Sequence, residues 1–362
     1  MSTKNKPKLV GILRNENPES AKNWIKACED YNINYKVIDL SSAYWLEKVL
    51  AENFDFFLLK PSGRYEHHKT MYDERTYIIS EVLGFKTFPS FKENLLYENK
   101  KILSYYLAAE DIPHPQTWVF YNFHEAKQFI ENAAYPFVAK TTIGAAGSGV
   151  KFLINKAAAL SYIKTAFKGK GIRRRFGPNR IAGNPKKWFI KALNSPRYLV
   201  KKLKYYFEVQ QNAQKNFVIF QEYIPHDYEW KLVKVDESYF AHKKIKVKDK
   251  ASGSKKKEFG MPDLKLMDFV HTLCEKHDLN TVDVDVFEHE GKYLVNEIQC
   301  IFGIPFGYLM KVDNESGRLR KIAGEWKFEA GDFTKNDCYN LRLLSALKLF
   351  GYGDIKNAEK NL

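Results

Sequence analysis

The sequence predicts an α+β protein that begins with an α/β layer, and three observations carry the prediction. Short apolar runs alternate with helical patterns over the first ninety or so residues. Strand patterns then dominate, with helices inserted among them. The chain is also long and apolar enough for two or three cores, with 362 residues, 44% hydrophobic and 15% aromatic, which sets it apart from a disordered protein.

Taken in order, "KLVGIL", "NYKVIDL" and "FDFFLLKPSG" read as strands, with "SAKNWIKACEDY" and "DERTYIISEVLG" as helices between or after them. Strand and helix alternating through short loops implies a parallel sheet. A helix follows with Ile102, Leu103, Tyr106 and Leu107 on one side, and the prolines of "DIPHP" end it. "YPFVAKTTIGAAGSGVKFLI" reads as strand, glycine-rich turn and strand. "NFVIFQEYI" is a strongly apolar strand, and "EWKLVKV" and "SYFAHKKIKV" look paired. "LKLMDFVHTLCEKH" has the spacing of an amphipathic helix. "VDVDVF", the turn "EHEG" and "KYLVNEIQ" form a hairpin, and "YNLRLLSALKLF" reads as a last helix.

No stretch approaches the roughly 20 apolar residues that span a bilayer, and the apolar run after "MSTKNKPK" is too short for a secretory signal. Cys28, Cys274, Cys300 and Cys338 are far apart and lack C-x-x-C spacing. That argues against a zinc site or a disulfide scaffold and for a reducing cytoplasm.

The net charge of +15 is concentrated. Residues 164 to 206 hold 14 Lys and Arg and no Asp or Glu, leaving +1 for the rest of the chain. Trp188, Phe189, Tyr198, Tyr205 and Tyr206 are interleaved with these charges. If 197–207 is helical, Leu199, Val200, Leu203, Tyr206 and Phe207 make an apolar stripe, with Lys201, Lys202 and Lys204 away from it. Such a segment can cradle an acidic glycan, lie on an anionic membrane or bind nucleic acid. The acidic glycan is the preferred partner, peripheral membrane contact the second, and nucleic acid the least favoured. The plain alternative is a solvated face that packs its stripe on the core.

Three stretches carry chemistry. In the hairpin, Asp283 and Asp285 share a face of one strand, and Glu297 and Gln299 share a face of the next with Val295. The tight turn brings Asp285 near Glu297 as a cross-strand or diagonal neighbour. Converging oxygens of this kind suit magnesium, or else they meet lysines of the neighbouring "KLVKV" strand. The turn "TIGAAGSG" joins strand to strand, so it is not a dinucleotide fingerprint, and no G-x-x-x-x-G-K-[ST] occurs. Its backbone N–H groups can cradle a phosphate beside Lys140, or it is an ordinary hairpin with a snorkelling lysine. In "VIFQEYIPHDYEWK" a strand runs into a loop, where Glu222 and Ile224 can offer a main-chain acceptor and donor to a flat heterocycle and Glu229 can take ribose hydroxyls. It also reads as a strand leaving a sheet.

In order and rough spacing, these elements resemble the ATP-grasp superfamily over residues 95 to 305. A lysine opens a helix leading to the "DIPHP" stretch (Lys100). A second lysine precedes the glycine-rich lid loop (Lys140, then Gly144, Gly147, Ser148 and Gly149). A "QE" hinge follows (Gln221, Glu222, Ile224), then an acidic-x-basic pair (Glu229, Lys231), and last Asp285…Glu297-x-Gln299. The resemblance implies two α+β subdomains clasping ATP behind an α/β domain. The implied division is 1–95, then 96–335 with a lid over 118–220, then a helical tail at 336–362. It also implies a cytoplasmic ligase that uses ATP and Mg2+ to join an amine or amino acid to a carboxylate through an acyl phosphate. Lys100 and Lys140 would hold phosphates, Asp285, Glu297 and Gln299 the metal, and Lys231 and Lys244 the oxyanion. "DKASGS", "VNEIQCIFG" and "GEWKFEAGDF" look like a bacterial branch linked to surface polysaccharide biosynthesis. Gln299 stands where the family has Asn, and Lys231 where it has Arg, losing bidentate geometry. A peptide or protein ligase, and a non-catalytic nucleotide-binding module docked on a polyanion, are the alternatives. His67 and His68 read as a solvated pair pointing apart, Arg318 and Arg320 as a strand edge, and Cys300 as packing.

Overall fold

The computed structural model describes residues 6–144, 147–175, 195–247, 250–251, 256–304 and 307–352, and these build three sheets. The first contains β1 (Val10–Arg14), β2 (Tyr35–Asp39), β3 (Phe56–Leu59) and β4 (Thr87–Phe88), all parallel in the order β2-β1-β3-β4. Helices α1 (Lys22–Asp30), α2 (Trp45–Leu50), α3 (Glu66–Tyr77) and α4 (Phe91–Leu96) connect and follow these strands. Apolar clusters lie on both faces, which is why β3 is apolar at every position.

Helix α5 (Lys100–Ala109) leads to the second sheet, made of β5 (Thr117–Phe120), β6 (Phe137–Lys140), β7 (Val150–Leu153) and β8 (Val218–Glu222). It is antiparallel, in the order β5-β8-β6-β7, and packs on α6 (Phe123–Asn132) and α7 (Lys156–Phe167). Helix α8 (Pro196–Gln211) carries the end of the basic segment. Its expected apolar stripe is not sealed against a core, since Val200 is 65% exposed and Leu203 36%. Residues 176–194, including Trp188 and Phe189, lie outside the described residues, as do Asp249 and 252–254 of "DKASGS" and 353–362 of the tail.

The third sheet is the largest. Its strands are β9 (Tyr228–Val235), β10 (Ser238–Val247), β11 (Lys250–Ala251), β12 (Lys257–Glu258), β13 (Thr281–His289), β14 (Lys292–Gln299), β15 (Lys311–Val312), β16 (Glu315–Ile322) and β17 (Glu325–Ala330). The main path is β14-β13-β9-β10-β16-β15, with α9 (Leu264–Lys276) covering it. Arg318 is not at an edge but buried within this sheet, bound to Glu329 at 2.9 Å and to the Ser238 hydroxyl at 2.8 Å. His67 and His68 do not point apart; their ring centroids are 4.1 Å apart at the start of α3.

Two connections fix where the third sheet meets the first. Glu93, in the capping box of α4, also accepts the backbone N–H groups of Asn280 and Thr281, both at 2.7 Å, which anchors the start of β13. The last helix, α10 (Tyr339–Leu349), returns to pack on the first sheet beside α1. Trp24 is the wedge between them. It is fully buried, its indole N–H donates to the Leu59 carbonyl at 2.8 Å, and its ring meets Tyr339 edge-on at 4.7 Å. Trp24→Ala is therefore expected to cost about 3–5 kcal/mol of unfolding free energy, read as a lower denaturant midpoint.

Candidate active site

A cavity of about 840 Å³ opens where the three sheets meet. Lys100 reaches it from the first turn of α5, where the Asn99 side chain caps the Ile102 N–H at 3.3 Å. Lys140 reaches it from the last position of β6. Lys100 Nζ lies 2.8 Å from Glu297 Oε1 and 4.0 Å from Glu98 Oε2. Burial pushes the Lys140 ammonium down to about 8, with Lys100 adding repulsion against the pull of Glu297. Burial also disfavours charge on Glu297, but Lys100 and Lys140 outweigh it and bring its carboxyl down to about 2. What neutralises this half-buried carboxylate is thus a pair of ammonium groups from two other elements.

Asp285, expected as a cross-strand or diagonal neighbour of Glu297, lies directly opposite it, and Asp283 lies opposite Gln299. One detail differs. Val286 pairs with Val295, so the register shifts between Asp285 and Val286 and leaves Asn296 as an extra residue. Val295 consequently goes into the main core, not to the Glu297 face, while Asn296 and Glu297 both line the cavity. The Asn296 side-chain oxygen accepts from Lys140 Nζ at 2.9 Å. Strict alternation hid this residue, because a bulge leaves no mark in the pattern.

The strand beyond β13 is β9, and beyond that β10. Lys231 on β9 pairs with Asp283, while Lys244 on β10 pairs with Asp285 and lies 2.9 Å from Glu229. Burial by itself would depress Lys244, but Asp285, Glu229 and Asp283 together hold its pKa well above the usual lysine range. The two readings of the hairpin therefore coexist, since the carboxylates face the cavity and lysines balance them. The residues also fit a hard cation. Asp283 Oδ1 and Asp285 Oδ1 are buried, and among the described residues they have no hydrogen-bond donor. No group of three His, Cys, Asp or Glu side chains is close enough to hold a metal among the described residues. The donor set would thus be Asp285, Glu297 and the Gln299 amide oxygen, completed by ligand oxygens, as magnesium prefers.

The expected nucleotide contacts are placed unevenly. Gly144 and Gly147 line the cavity; Ser148 and Gly149 are not among its lining residues, and 145–146 lie outside the described residues. The Gly144 N–H is already taken, donating to buried Glu98 at 2.9 Å. Gln221, Glu222, Ile224 and Glu229 line the other end. The Glu222 N–H donates to the Gln116 carbonyl at 2.8 Å, and the Ile224 carbonyl is 2.7 Å from His226 Nδ1. Glu229 Oε2 is 2.9 Å from Lys244 Nζ. Val138, Phe152, Tyr223, Phe287 and Phe302 give this end apolar walls, with the His226 ring 4.5 Å from Phe287.

The chain matches no protein-family model and no curated protein sequence. Its architecture has solved counterparts. D-alanine–D-alanine ligase from Bacillus anthracis superposes with a TM-score of 0.51 at 15% identity, covering 95% of this chain and 98% of that one. The same enzyme complexed with ATP gives 0.50 at 14% identity over the same shares. A RimK domain ATP-grasp protein from Sphaerobacter thermophilus gives 0.49 at 14% identity, over 81% and 91%. The chain has the ATP-grasp fold, an α+β architecture behind an α/β layer.

Proposed function

We propose that the protein is an ATP-dependent carboxylate–amine ligase that uses Mg2+ and releases ADP. One juxtaposition supports this above all. Asp285 and Glu297 face each other across a hairpin, and two ammonium groups, Lys100 and Lys140, come to the same cavity from other elements. A triphosphate with its cations completes both sets of charges. Gln299 keeps the amide oxygen the metal needs.

A carboxylate cannot be attacked by an amine because hydroxide is not a viable leaving group. Phosphoryl transfer from ATP yields an acyl phosphate and ADP; the amine then adds to its carbonyl, expels phosphate and leaves an amide. Lys100 and Lys140 bind the non-transferred phosphates and hold ATP in line. Of the described loop residues Gly147 lines the cavity and serves the terminal phosphate with its backbone, since the Gly144 N–H is engaged by Glu98. Asp285, Glu297 and Gln299 would hold magnesium, which would supply positive charge against that developing on the transferred group. Lys231 and Lys244 bring positive charge to the oxyanion formed as the amine adds. The apolar end around Tyr223, Ile224 and Phe287 takes the base and keeps water out.

The carboxylate belongs to an acidic surface glycan or its precursor, which the basic segment 164–206 attracts. The protein works in the cytoplasm, with peripheral contact at the inner face of the membrane. No helix among the described residues is long and apolar enough to cross a membrane. Residues 1–95, 96–335 and 336–362 form its α/β, ATP-grasp and tail parts. The pairing of Lys231 with Asp283 speaks for the alternative, a nucleotide-binding module without turnover. ADP release with magnesium, screened over amino acids and uronic acids with mass spectrometry of products, separates the two. Release that requires both an amine and a carboxylate is expected; ATP binding without release would sink the ligase reading.

A further inference from the structure

The cavity extends beyond the groups that serve a triphosphate. Asn23 of α1, Lys60 just after β3, Asp337 and Tyr339 form a wall that the first sheet and the end of the chain build together. Three side-chain contacts tie these parts into one unit. Asn23 Nδ2 donates to Asp337 Oδ2 at 3.1 Å, Lys60 Nζ donates to the Tyr339 hydroxyl at 2.7 Å, and Trp24, next to Asn23, bonds the carbonyl of Leu59, next to Lys60. The wall thus holds one cation and one anion. Neither forms an ion pair among the described residues, although both face the same cavity. Opposite charges held apart on one wall complement a ligand that carries both.

The backbone supports a built site. Asn336, Asp337 and Cys338 are consecutive non-glycine residues at φ 53°, 52° and 63°. Left-handed backbone costs roughly 1–2 kcal/mol per residue for most side chains, and Asn and Asp tolerate it best. That turn directs Asp337 at the cavity in place of continuing into α10. Strain of this kind persists where the surroundings over-determine it. Here the constraint comes from the Asn23 contact and from Asn336, whose amide donates to the Asn23 carbonyl at 2.8 Å.

We propose that this wall is the amine-substrate subsite and that the amine is an aminocarboxylate. Lys60 and the Tyr339 hydroxyl take its carboxylate, and Asp337, steadied by Asn23, takes its ammonium. A simple amine would leave Lys60 without a counter-charge, and a simple carboxylate would leave Asp337 without one, whereas a ligand carrying both charges gains a charge-assisted bond at each end. The inference deepens the ligase reading and depends on it only for calling the ligand a substrate.

Binding is measured on the full chain without nucleotide, by ligand-observed NMR titration with the common amino acids one at a time. Each is compared with its amine half and its acid half, as alanine with ethylamine and propionate. At least one amino acid is expected to bind about tenfold more tightly than either half, from charge-assisted bonds at both ends. Lys60→Met and Asp337→Asn should each weaken it about tenfold, with Tyr339→Phe losing less. Asparagine adopts the left-handed turn as readily as aspartate, so Asp337→Asn decides the matter even if Lys60→Met is poorly folded. Equal binding of the amino acid and its halves, or wild-type affinity in Asp337→Asn, overturns the proposal. A calorimetric titration of the wild type with magnesium–ATP runs in parallel. Its failure would count against the ligase reading and leave the amino-acid result to judge the subsite.

Discussion

Glu297→Gln is expected to remove ADP formation while leaving the fold in place. The carboxylate does two jobs that the substitution separates. In the ligand-free protein it balances Lys100 at 2.8 Å. In the proposed reaction it holds the cation that neutralises the transferred phosphoryl, a contribution of several kcal/mol, so kcat should fall by at least about 10³-fold. The structural loss is smaller. The amide still accepts a hydrogen bond, and Glu98 remains 4.0 Å from Lys100, so about 1–3 kcal/mol of stability is the expected cost. The sign with pH follows from the lowered carboxyl. A group brought down to about 2 from 4.5 contributes stability that is present above 4.5 and lost as pH falls through 2. The variant should lack that acid-side loss. Circular dichroism, thermal melts and an ADP-release assay check all of this, and turnover at the wild-type rate would refute the metal role.

The hairpin carrying Glu297 was legible in the sequence for a simple reason. Both strands alternate with period two and the connecting turn is short, so the pattern made Asp285 a cross-strand or diagonal neighbour of Glu297, and it is the bulge at Asn296 that sets the two directly opposite. The bulge was not legible, because a single inserted residue changes no composition and no period beyond itself. Asn296 therefore went unnoticed although it is the hydrogen-bond partner of Lys140. Lys100 and Lys140 could be connected to the hairpin only through the family resemblance; nothing local says that positions 100, 140 and 297 meet. Asp337 and Lys60 were out of reach for the same reason in a stronger form. Lys60 and Tyr339, the latter two residues beyond Asp337, are 279 positions apart and meet only because α10 folds back on the first sheet. The α/β start and most individual strands followed from short-range patterns, whereas their sorting into three sheets did not, since β8 joins β5 and β6 from far along the chain. The pairing of Lys231 with Asp283 was the other half of an alternative the pattern left open, and strand order decided it: β9 lies beside β13.

Lys140 should make nucleotide affinity fall steeply in mildly alkaline solution. Burial lowers its ammonium from 10.5 to about 8, so in the free protein it carries its proton at neutral pH and sheds it above 8. A triphosphate binds the charged form. Above pH 8 the protein must therefore take up a proton to bind, and the association constant should drop about tenfold per pH unit, reaching about 10²-fold at pH 10. ATP contributes no slope of its own there, since phosphate groups with a last pKa of about 6 have finished ionising. Stability should move the other way. A buried lysine depressed below its unfolded value costs folding energy while charged, and that cost is relieved between pH 8 and 10.5, by about 3 kcal/mol at most. Lys140→Met should bind magnesium–ATP about 10²-fold more weakly at pH 7, lose the alkaline slope, and gain stability at neutral pH, because the methionine stem fills the space without the charge. Lys140→Arg stays charged throughout and should also lose the slope. Calorimetric titration from pH 7 to 10, with denaturant unfolding on the same samples, reads both trends at once. A wild-type affinity that is flat across pH 8, or a slope that survives in Lys140→Met, would remove Lys140 from the phosphate site.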